Sequence, residues 1–537
     1  VLVVAVLLLV CLRTPGGLVL AMGKTLVVLV GTGGVMAMAG VPITLVTTIL
    51  PVLLLALCVT DEVHVVARLE AHLAAAGGEP DGGEGGETEP ALLATLGELT
   101  RPIVTTSVST AIGFLSFLGA SIGPMRQFGV FAAVGILLAM VATFTLTPAL
   151  AVTLPRSWWV TRGGGRLGRR PSHRAPTAAA GRRRRAVGLA AGLLLLAAGA
   201  PGLLRLRVQD SWIDNFDPTS PLVRAERELN ARFWGTYRFD VVLTGGPGFF
   251  HRPDGAALVA AAARAVAGAP EVGGVVTHLE PLDRVAELLG LPVGAAALPA
   301  DALRAVVEVA AAYPGQLGLE RMITADGHAA RLTAMVDSAD YRRARALAER
   351  LEREMAPLAE AAGVAVHASG DLPVATATVA AVVGDQLRSI GWTLAGVAVL
   401  LFAAGRRIWT TLVQLVPPAA AAWLILAAMG WAGKPLGVAT SLFAALTIGI
   451  GVDLALHVTS AYEDRRARGL AAADAVGAAF AATAAGRRWS TLVLSGGFLV
   501  LTVSSFAPNR DLGILLAAAM PAAYLTTGLF VPRMLAR

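Results

Sequence analysis

Residues 449–457 read Gly-Ile-Gly-Val-Asp-Leu-Ala-Leu-His and lie inside the apolar run 436–460. A charged aspartate in the middle of a membrane helix costs at least about 2.5–3.5 kcal/mol, so acids at that depth usually have a function. His457 follows Asp453 by four residues, which puts both side chains on one face of a helix. Gly449 and Gly451 allow a second helix to approach closely. The stretch predicts a membrane helix that carries a polar site.

A related stretch, Thr-Asp-Glu-Val-His at residues 60–64, lies at the end of the apolar run 43–66. Asp61 and His64 are three residues apart and share a face, whereas Glu62 is rotated by about 100°. Burial favours the neutral form of a carboxyl group, so that it can load and release protons near neutral pH, where histidine also titrates. We therefore predict a proton relay; the alternative is a buried polar contact that ties two helices together. The predicted relay residues are Asp453, Asp61, His457, His64 and Glu62.

The composition is that of a membrane protein. The chain has 537 residues, of which 55% are hydrophobic and 15% charged, and its mean hydropathy is +0.67. Soluble proteins average about 45–50% apolar and about 25% charged residues, so a soluble enzyme and a disordered chain are both excluded. No nucleotide-binding loop, nucleophile elbow or metal triad is recognisable, and we predict no enzyme activity, metal or cofactor. Cys11 and Cys58 lie in apolar runs and are interpreted as buried thiols.

Eleven apolar runs are candidate spans, and most approach the roughly 20 residues that cross a bilayer. Ten arginines and no acid lie between Arg156 and Arg185. The positive-inside rule places this cluster in the cytoplasm, so the net charge of +7 is a topology signal and not a nucleic-acid surface. Residues 205–388 then lie outside the cytoplasm. The runs are 1–12, 19–39, 43–66, 102–122, 126–154, 186–204, 389–404, 408–431, 436–460, 488–507 and 511–534.

The membrane part contains an internal repeat, in which spans 1–5 recur as spans 7–11. At an offset of 393 residues, 40–42 (Gly-Val-Pro) matches 433–435 (Gly-Lys-Pro) and His64 matches His457; at an offset of 384, 113–114 (Gly-Phe) matches 497–498. Because a span and a soluble segment precede the second copy, and the sequence starts at Val1 inside an apolar run, we expect an N-terminal truncation. The predicted organisation is a first transmembrane repeat (1–155), an Arg-rich cytoplasmic linker (156–185), one span (186–204), a soluble domain (205–388) and a second transmembrane repeat (389–537).

Hydroxyl groups are concentrated in the span after each polar stretch, at residues 105–110 and 490–495. We predict that Thr106, Thr110 and Thr491 support the carboxylates by bridging protons. Hydrogen bonding between helices is the alternative.

The segment 205–388 has the mixed pattern of an α+β domain. We predict strands at 238–244, 271–279, 331–336 and 364–368 and helices at 256–267 and 342–361. The histidines His251, His278, His328 and His367 show no ligand spacing and are interpreted as ordinary surface or structural residues.

The run "IGIGVDLALHV", the run "VTDEVHVV" and the Gly-Phe…Pro…Gly pattern of the later spans resemble the RND superfamily, and most closely its MMPL-type exporters. The resemblance implies a proton-driven transporter of the bacterial inner membrane, a dimer or trimer that passes lipids or other hydrophobic compounds outward through porter domains. It also implies that Asp453 and Asp61 are the relay acids of the two halves. One departure is visible, because aligning the two histidines places Asp453 opposite Thr60.

Two other functions remain open. A sterol-sensing or Patched-like lipid-binding receptor or scaffold has the same architecture without transport, and a SecD/SecF-type helper of protein translocation also has a large extracytoplasmic domain. Indifference of function to a collapsed proton gradient would favour the receptor.

Overall fold

The computed structural model describes residues 2–12, 14–75, 88–155, 158–159, 178–208, 213–313, 315–338 and 340–536. The chain divides into two compact units. The membrane unit comprises Val1–Arg207 with Val382–Arg537, and the soluble unit is Val208–Ala381. Most of the predicted linker 156–185 and the side chain of Cys11 lie outside the described residues.

The membrane unit is helical. Its helices are α1 (Leu2–Leu12), α2 (Pro15–Met38), α3 (Leu50–Ala75), α4 (Thr88–Leu115), α5 (Gly123–Thr153), α6 (Ala178–Leu204), α12 (Asp371–Gly405, which begins in the soluble unit), α13 (Ile408–Trp431), α14 (Val438–Ser441), α15 (Phe443–Ala467), α16 (Ala472–Leu499) and α17 (Ala507–Leu535).

Among the described residues, eight helices are long and apolar enough to cross a membrane, which confirms a polytopic helical membrane protein. They are α2, α3, α4, α5, α12, α13, α15 and α17. Three predicted spans lie on other helices. The described part of α1 has 11 residues, the apolar part of α6 is only Ala190–Leu204, and Arg487 and Arg488 lower the hydropathy of α16.

The repeat is visible in the way the helices pack. Helix α2 contacts α3 and α5, and α4 contacts both α3 and α5; in the second half α13, α15, α16 and α17 make the equivalent contacts. Gly40 and Gly433 both have a positive φ, 64° and 66°, after the equivalent helices α2 and α13. Short 3-10 helices continue α4 and α16 at Ser116–Gly119 and Val500–Val503, an offset of 384 residues.

At the centre of the membrane unit, helices of one half pack against helices of the other. Helix α4 packs against α15, and the equivalent helix α16 packs against α3. A Cβ atom on Gly113 would lie 3.3 Å from the Cα atom of Gly449, and one on Gly497 would lie 2.9 Å from the Cβ atom of Ala56. The repeat relates these two contacts, because Gly113 corresponds to Gly497 at the offset of 384 and Ala56 corresponds to Gly449 at the offset of 393. Small residues therefore bring the two central helices α3 and α15 close to helices of the opposite half.

The soluble unit is an α+β fold around one antiparallel sheet of order β2-β3-β1-β4. Val241 of β1 lies opposite Leu332 of β3 and Ala368 of β4. The side chains of β3 alternate between buried and half-buried, and the buried ones share a core with helices α8 and α11. The elements are α7 (Pro221–Arg232), β1 (Tyr237–Thr244), α8 (Pro253–Ala267), β2 (Val272–Val276), α9 (Leu279–Leu288), α10 (Ala300–Ala311), β3 (Ala329–Val336), α11 (Tyr341–Ala362) and β4 (Ala365–Ser369).

The four predicted strands and two predicted helices of this segment are present, but the second strand ends at Val276 and residue 279, predicted as its end, begins helix α9. Three further helices, α7, α9 and α10, were not predicted. Helix α12 begins at Asp371, 18 residues before the predicted span 389–404, because Asp385, Gln386 and Arg388 interrupt the apolar pattern directly before residue 389.

Candidate functional site

The two repeat-related histidines meet at the interface between the halves. His64 of α3 and His457 of α15 stack with ring centroids 4.0 Å apart and an angle of 16° between the ring planes. Both are buried, with about 8% of each side chain exposed. The stacking brings together residues 393 positions apart in the sequence.

Hydrogen bonds extend the histidine pair on both sides. The Nε2 atom of His457 lies 3.1 Å from Oδ1 of Asp453, as expected for residues four apart on one helix. The Nε2 atom of His64 lies 3.0 Å from the hydroxyl of Ser490 on α16. The four residues Asp453, His457, His64 and Ser490, which we call the histidine chain, connect three helices. Sequence reasoning noted Ser490 without selecting it as a site residue.

Asp61 lies beside the histidine chain and is half-buried. Its charged neighbours are Lys24, Glu62, Asp453 and His457. The acids predicted for the two halves are therefore close enough to influence each other electrostatically, although they do not occupy equivalent positions of the repeat.

Glu62 faces a different partner. Its Oε1 atom lies 2.8 Å from Nζ of Lys24 on α2, and both side chains are completely buried. Thr147 donates a hydrogen bond of 2.9 Å to the same oxygen, and Lys24 donates one of 2.8 Å to Thr143. This contact pairs the carboxylate within the first half, and no described contact joins Glu62 to the histidine chain. A relay role for Glu62 stays a prediction, and the structure places its carboxylate in an ion pair with Lys24.

Lys24 was missed by the sequence analysis. It is one of only two lysines in the chain and the only one inside an apolar run. A lysine in the middle of a predicted span was signal enough to select it, because intramembrane charges are rare and paired.

The predicted hydroxyl residues bond mainly to the backbone. Thr106 donates to the carbonyl of Ile103, and Thr491 to the carbonyl of Arg487. Thr110 of α4 donates to the carbonyl of Gly449 on α15, over 3.3 Å. Thr110 therefore joins two helices, as the alternative interpretation expects, and a relay role for the three threonines stays a prediction.

The predicted packing glycines lie at close helix contacts. Gly449 faces Gly113 of α4. A Cβ atom on Gly451 would lie 2.8 Å from the Cβ atom of Pro418 on α13. Both glycines sit within one turn of Asp453, so the aspartate is held where α15 packs tightly on two neighbours.

A polar cavity of about 650 Å³ reaches the histidine chain from the C-terminal end of α15. His64 and His457 are among its lining residues. Its walls carry the ion pairs Arg68–Glu98 and Arg101–Glu463. Water in such a charged cavity would give the imidazoles contact with one side of the membrane.

The side-chain donor atoms of His64, Asp453 and His457 all lie within 4.8 Å of one another, a set that could also hold a metal ion. The Nε2 atoms of both histidines are already engaged by Ser490 and Asp453. The site therefore consists of two hydrogen-bonded pairs, Ser490–His64 and His457–Asp453, joined by stacking of the two imidazoles.

Gly486 of α16 supports the position of His64. A Cβ atom on Gly486 would lie 2.7 Å from Cε1 of the imidazole. We expect Gly486→Ala to displace the ring and to reduce stability by about 1–3 kcal/mol, the usual cost of overpacking. Gly477→Ala on the same helix is the matched control, since a Cβ atom there meets open space. Thermal unfolding in detergent measures both, and equal melting temperatures would contradict the assigned contact.

Comparison with known proteins relates the C-terminal part of the chain to a family. Residues 294–536, a little under half of the chain, match the MMPL family. A membrane protein of Methanocaldococcus jannaschii, MJ1562, is 25% identical over 149 residues, which are 28% of this chain and 36% of that protein. The match thus spans little more than a third of the relative. Together with the eight apolar helices among the described residues, these findings show a multi-pass membrane protein whose C-terminal part is similar to the MMPL family.

Proposed function

We propose that the chain is part of a proton-driven exporter that moves lipids or other hydrophobic compounds across or out of the bacterial inner membrane. The observation that carries the proposal is the histidine chain, which joins Asp453 to His64 across the interface of the two halves. Imidazole exchanges protons near neutral pH, and an intramembrane aspartate is the usual partner of such a group.

The chemistry of the site is proton exchange coupled to helix packing. Protonation of Asp453 would remove its charge and weaken its contact with His457. The contact lies on α15, which packs against α4 of the other half at Gly113 and Gly449. A change of charge at Asp453 would therefore affect the packing between the two halves. Movement of one half against the other is how two-repeat transporters alternate access.

In this proposal the polar cavity faces the cytoplasm, because the arginines of its walls follow the positive-inside rule. Residues 205–388 then lie outside the cytoplasm as a porter-like domain. The protein works as a homo-oligomer, a dimer or trimer, and uses the proton gradient in place of a cofactor.

The test compares the lipids of inner- and outer-membrane fractions from cells that lack the gene. The cells are complemented with the wild-type gene, Asp453→Asn or Asp474→Asn. Asp474 is exposed in the first turn of α16 and is the matched control for loss of one carboxylate. We expect wild type and Asp474→Asn to clear a lipid class that accumulates in the inner membrane, and Asp453→Asn to leave it at the level of the deletion strain.

Membrane levels of the three proteins are measured in parallel, so that failed insertion is not mistaken for lost coupling. If Asp453→Asn restores the wild-type lipid distribution, Asp453 is structural and the proposal fails. A lipid-binding receptor without transport would then be the better explanation.

A further inference from the structure

Helix α12 carries a line of buried polar side chains along its first membrane turns. Asp385, Ser389 and Thr393 are spaced four residues apart and lie on one face, and Gln386 is adjacent. All four are buried, with 4% or less of each residue exposed. We call them the α12 polar face. It extends over roughly 12 Å of helix at 1.5 Å per residue.

The N-terminal part of the α12 polar face forms hydrogen bonds with the segment that follows α4. Asp385 accepts hydrogen bonds from the backbone N–H of Ser121, at 2.5 Å, and from its hydroxyl, at 3.0 Å. It also pairs with Arg388. The hydroxyl of Ser389 lies 2.5 Å from that of Ser116. These contacts fix one side of the face against the first half.

The remaining side-chain polar atoms of the face have no hydrogen-bond partner in the part of the chain that the structure describes. Both side-chain polar atoms of Gln386 and the hydroxyl of Thr393 are buried and unbonded among the residues that the structure describes. Burying such groups without a hydrogen bond costs about 1–3 kcal/mol each, and a membrane protein normally satisfies them with protein groups or with water. An open groove of about 320 Å³ between α4 and α12 has a mostly apolar lining that includes Ile112, Ser116 and Trp392, and it reaches the face only at Ser116, the partner of Ser389.

An apolar layer separates this face from Asp453. The side chain of Ile112 on α4 is seated on Gly396, where a Cβ atom would lie 2.6 Å from Ile112 Cγ2. Val397 follows Thr393 by one helical turn. It packs in one hydrophobic cluster with Val452, the residue before Asp453. On the other side of this layer lies a polar contact, the hydrogen bond that the hydroxyl of Thr110 donates to the carbonyl of Gly449.

We propose that the α12 polar face binds a file of water molecules that conducts protons between the Asp453 site and the side of the membrane at which α12 begins. The layer of Ile112, Val397 and Val452 closes the file in the conformation described here. The polar cavity at the other end of α15 supplies the opposite access. This inference rests on the proposed function, because a water file conducts protons to Asp453 only if Asp453 exchanges protons during transport.

The test measures the reaction of single cysteines with Ag⁺, an ion close to water in size that reacts with thiolates only where water reaches them. Cys11→Ala and Cys58→Ala provide the background in the whole chain, reconstituted in lipid vesicles. Thr393→Cys reports the file. Val397→Cys lies on the same face within the layer, and Val399→Cys is an exposed position on the apolar surface of the same helix. Thiols left free are counted with a fluorescent maleimide after denaturation.

With Ag⁺ added on the side at which α12 begins, we expect Thr393→Cys to react about tenfold or more faster than both controls. Adding Ile112→Ala should make Val397→Cys reactive as well. A rate at Thr393→Cys no higher than at Val399→Cys would overturn the water file. A Val397→Cys that reacts as fast as Thr393→Cys without Ile112→Ala, or that stays unreactive with it, would overturn the layer.

The reaction needs neither a gradient nor a substrate, so it is independent of the export test. Reactive Thr393→Cys together with export that survives Asp453→Asn would overturn the proton role of the file. Unreactive Thr393→Cys together with export that requires Asp453 would overturn only the path and leave the proposed function standing.

Discussion

Replacement of Lys24 by methionine is expected to lower the stability of the membrane unit by about 3–5 kcal/mol, because breaking a buried ion pair from one side leaves the other charge without compensation. Lys24 and Glu62 are completely buried and 2.8 Å apart. Among the described residues the second carboxylate oxygen of Glu62 has no hydrogen-bond partner, so Lys24 and Thr147 provide all of its described polar contacts. Glu62→Gln should be destabilising for the converse reason, since it leaves the ammonium group of Lys24 buried without its counter-charge.

The double variant Lys24→Met/Glu62→Gln removes both charges and is expected to recover most of the loss, because a buried pair replaced by neutral groups of similar volume is often close to neutral in stability. The chain offers a matched control in its other lysine. Lys434 lies 3.2 Å from Asp511 and is 60% exposed, and such a surface pair contributes only about 0–1 kcal/mol.

Unfolding of the purified chain in mixed micelles, followed as the fraction of denaturing detergent is raised, gives the stabilities of the wild type and of the four variants. Single variants at Lys24 and Glu62 that lose no more than Lys434→Met would show that the buried pair does not stabilise the first half. A double variant as unstable as the sum of the two singles would show that the two side chains act independently.

Acidification is expected to destabilise the soluble unit through His278. The imidazole is fully buried, and among the described residues neither ring nitrogen has a hydrogen-bond partner. Burial, with a smaller contribution from the neighbouring His251, lowers the pKa of His278 from 6.5 to about 4. The unfolded chain therefore binds the proton more readily than the folded one between these two values.

The direction in which stability changes with pH follows from this difference in proton binding. The stability of the soluble unit is complete above about pH 6.5, falls as the pH decreases, and has lost about 3 kcal/mol by pH 4, at 1.36 kcal/mol per unit of pKa difference. Hydrogen exchange of the amides of β1 and β3 in the whole chain, corrected for intrinsic rates at each pH, reports this opening free energy.

His278→Leu should remove most of the pH dependence, because leucine has no proton to bind. His367→Leu is the control, since His367 is exposed on β4. A pH profile that is unchanged in His278→Leu would assign the acid sensitivity to other groups.

The sequence alone determined several features of this protein. Hydropathy identified the membrane helices, because lipid requires long apolar runs. The spacing of four residues placed Asp453 and His457 on one face, and the structure finds their side chains 3.1 Å apart. The repeat offsets predicted equivalent turns, which appear as the positive φ angles of Gly40 and Gly433. In the soluble unit, alternation and turn residues located all four strands.

Only the tertiary structure decided which polar residues meet. His64 stacks on His457, Glu62 pairs with Lys24 rather than with the histidines, and Ser490 completes the chain. The burial of His278 and the unbonded atoms of the α12 polar face likewise had no signature in the sequence. The physical reason is that periodicity within one helix fixes the face on which a residue lies. The partner on that face is set by the packing of helices distant in the chain, through small contacts such as Gly113 against Gly449.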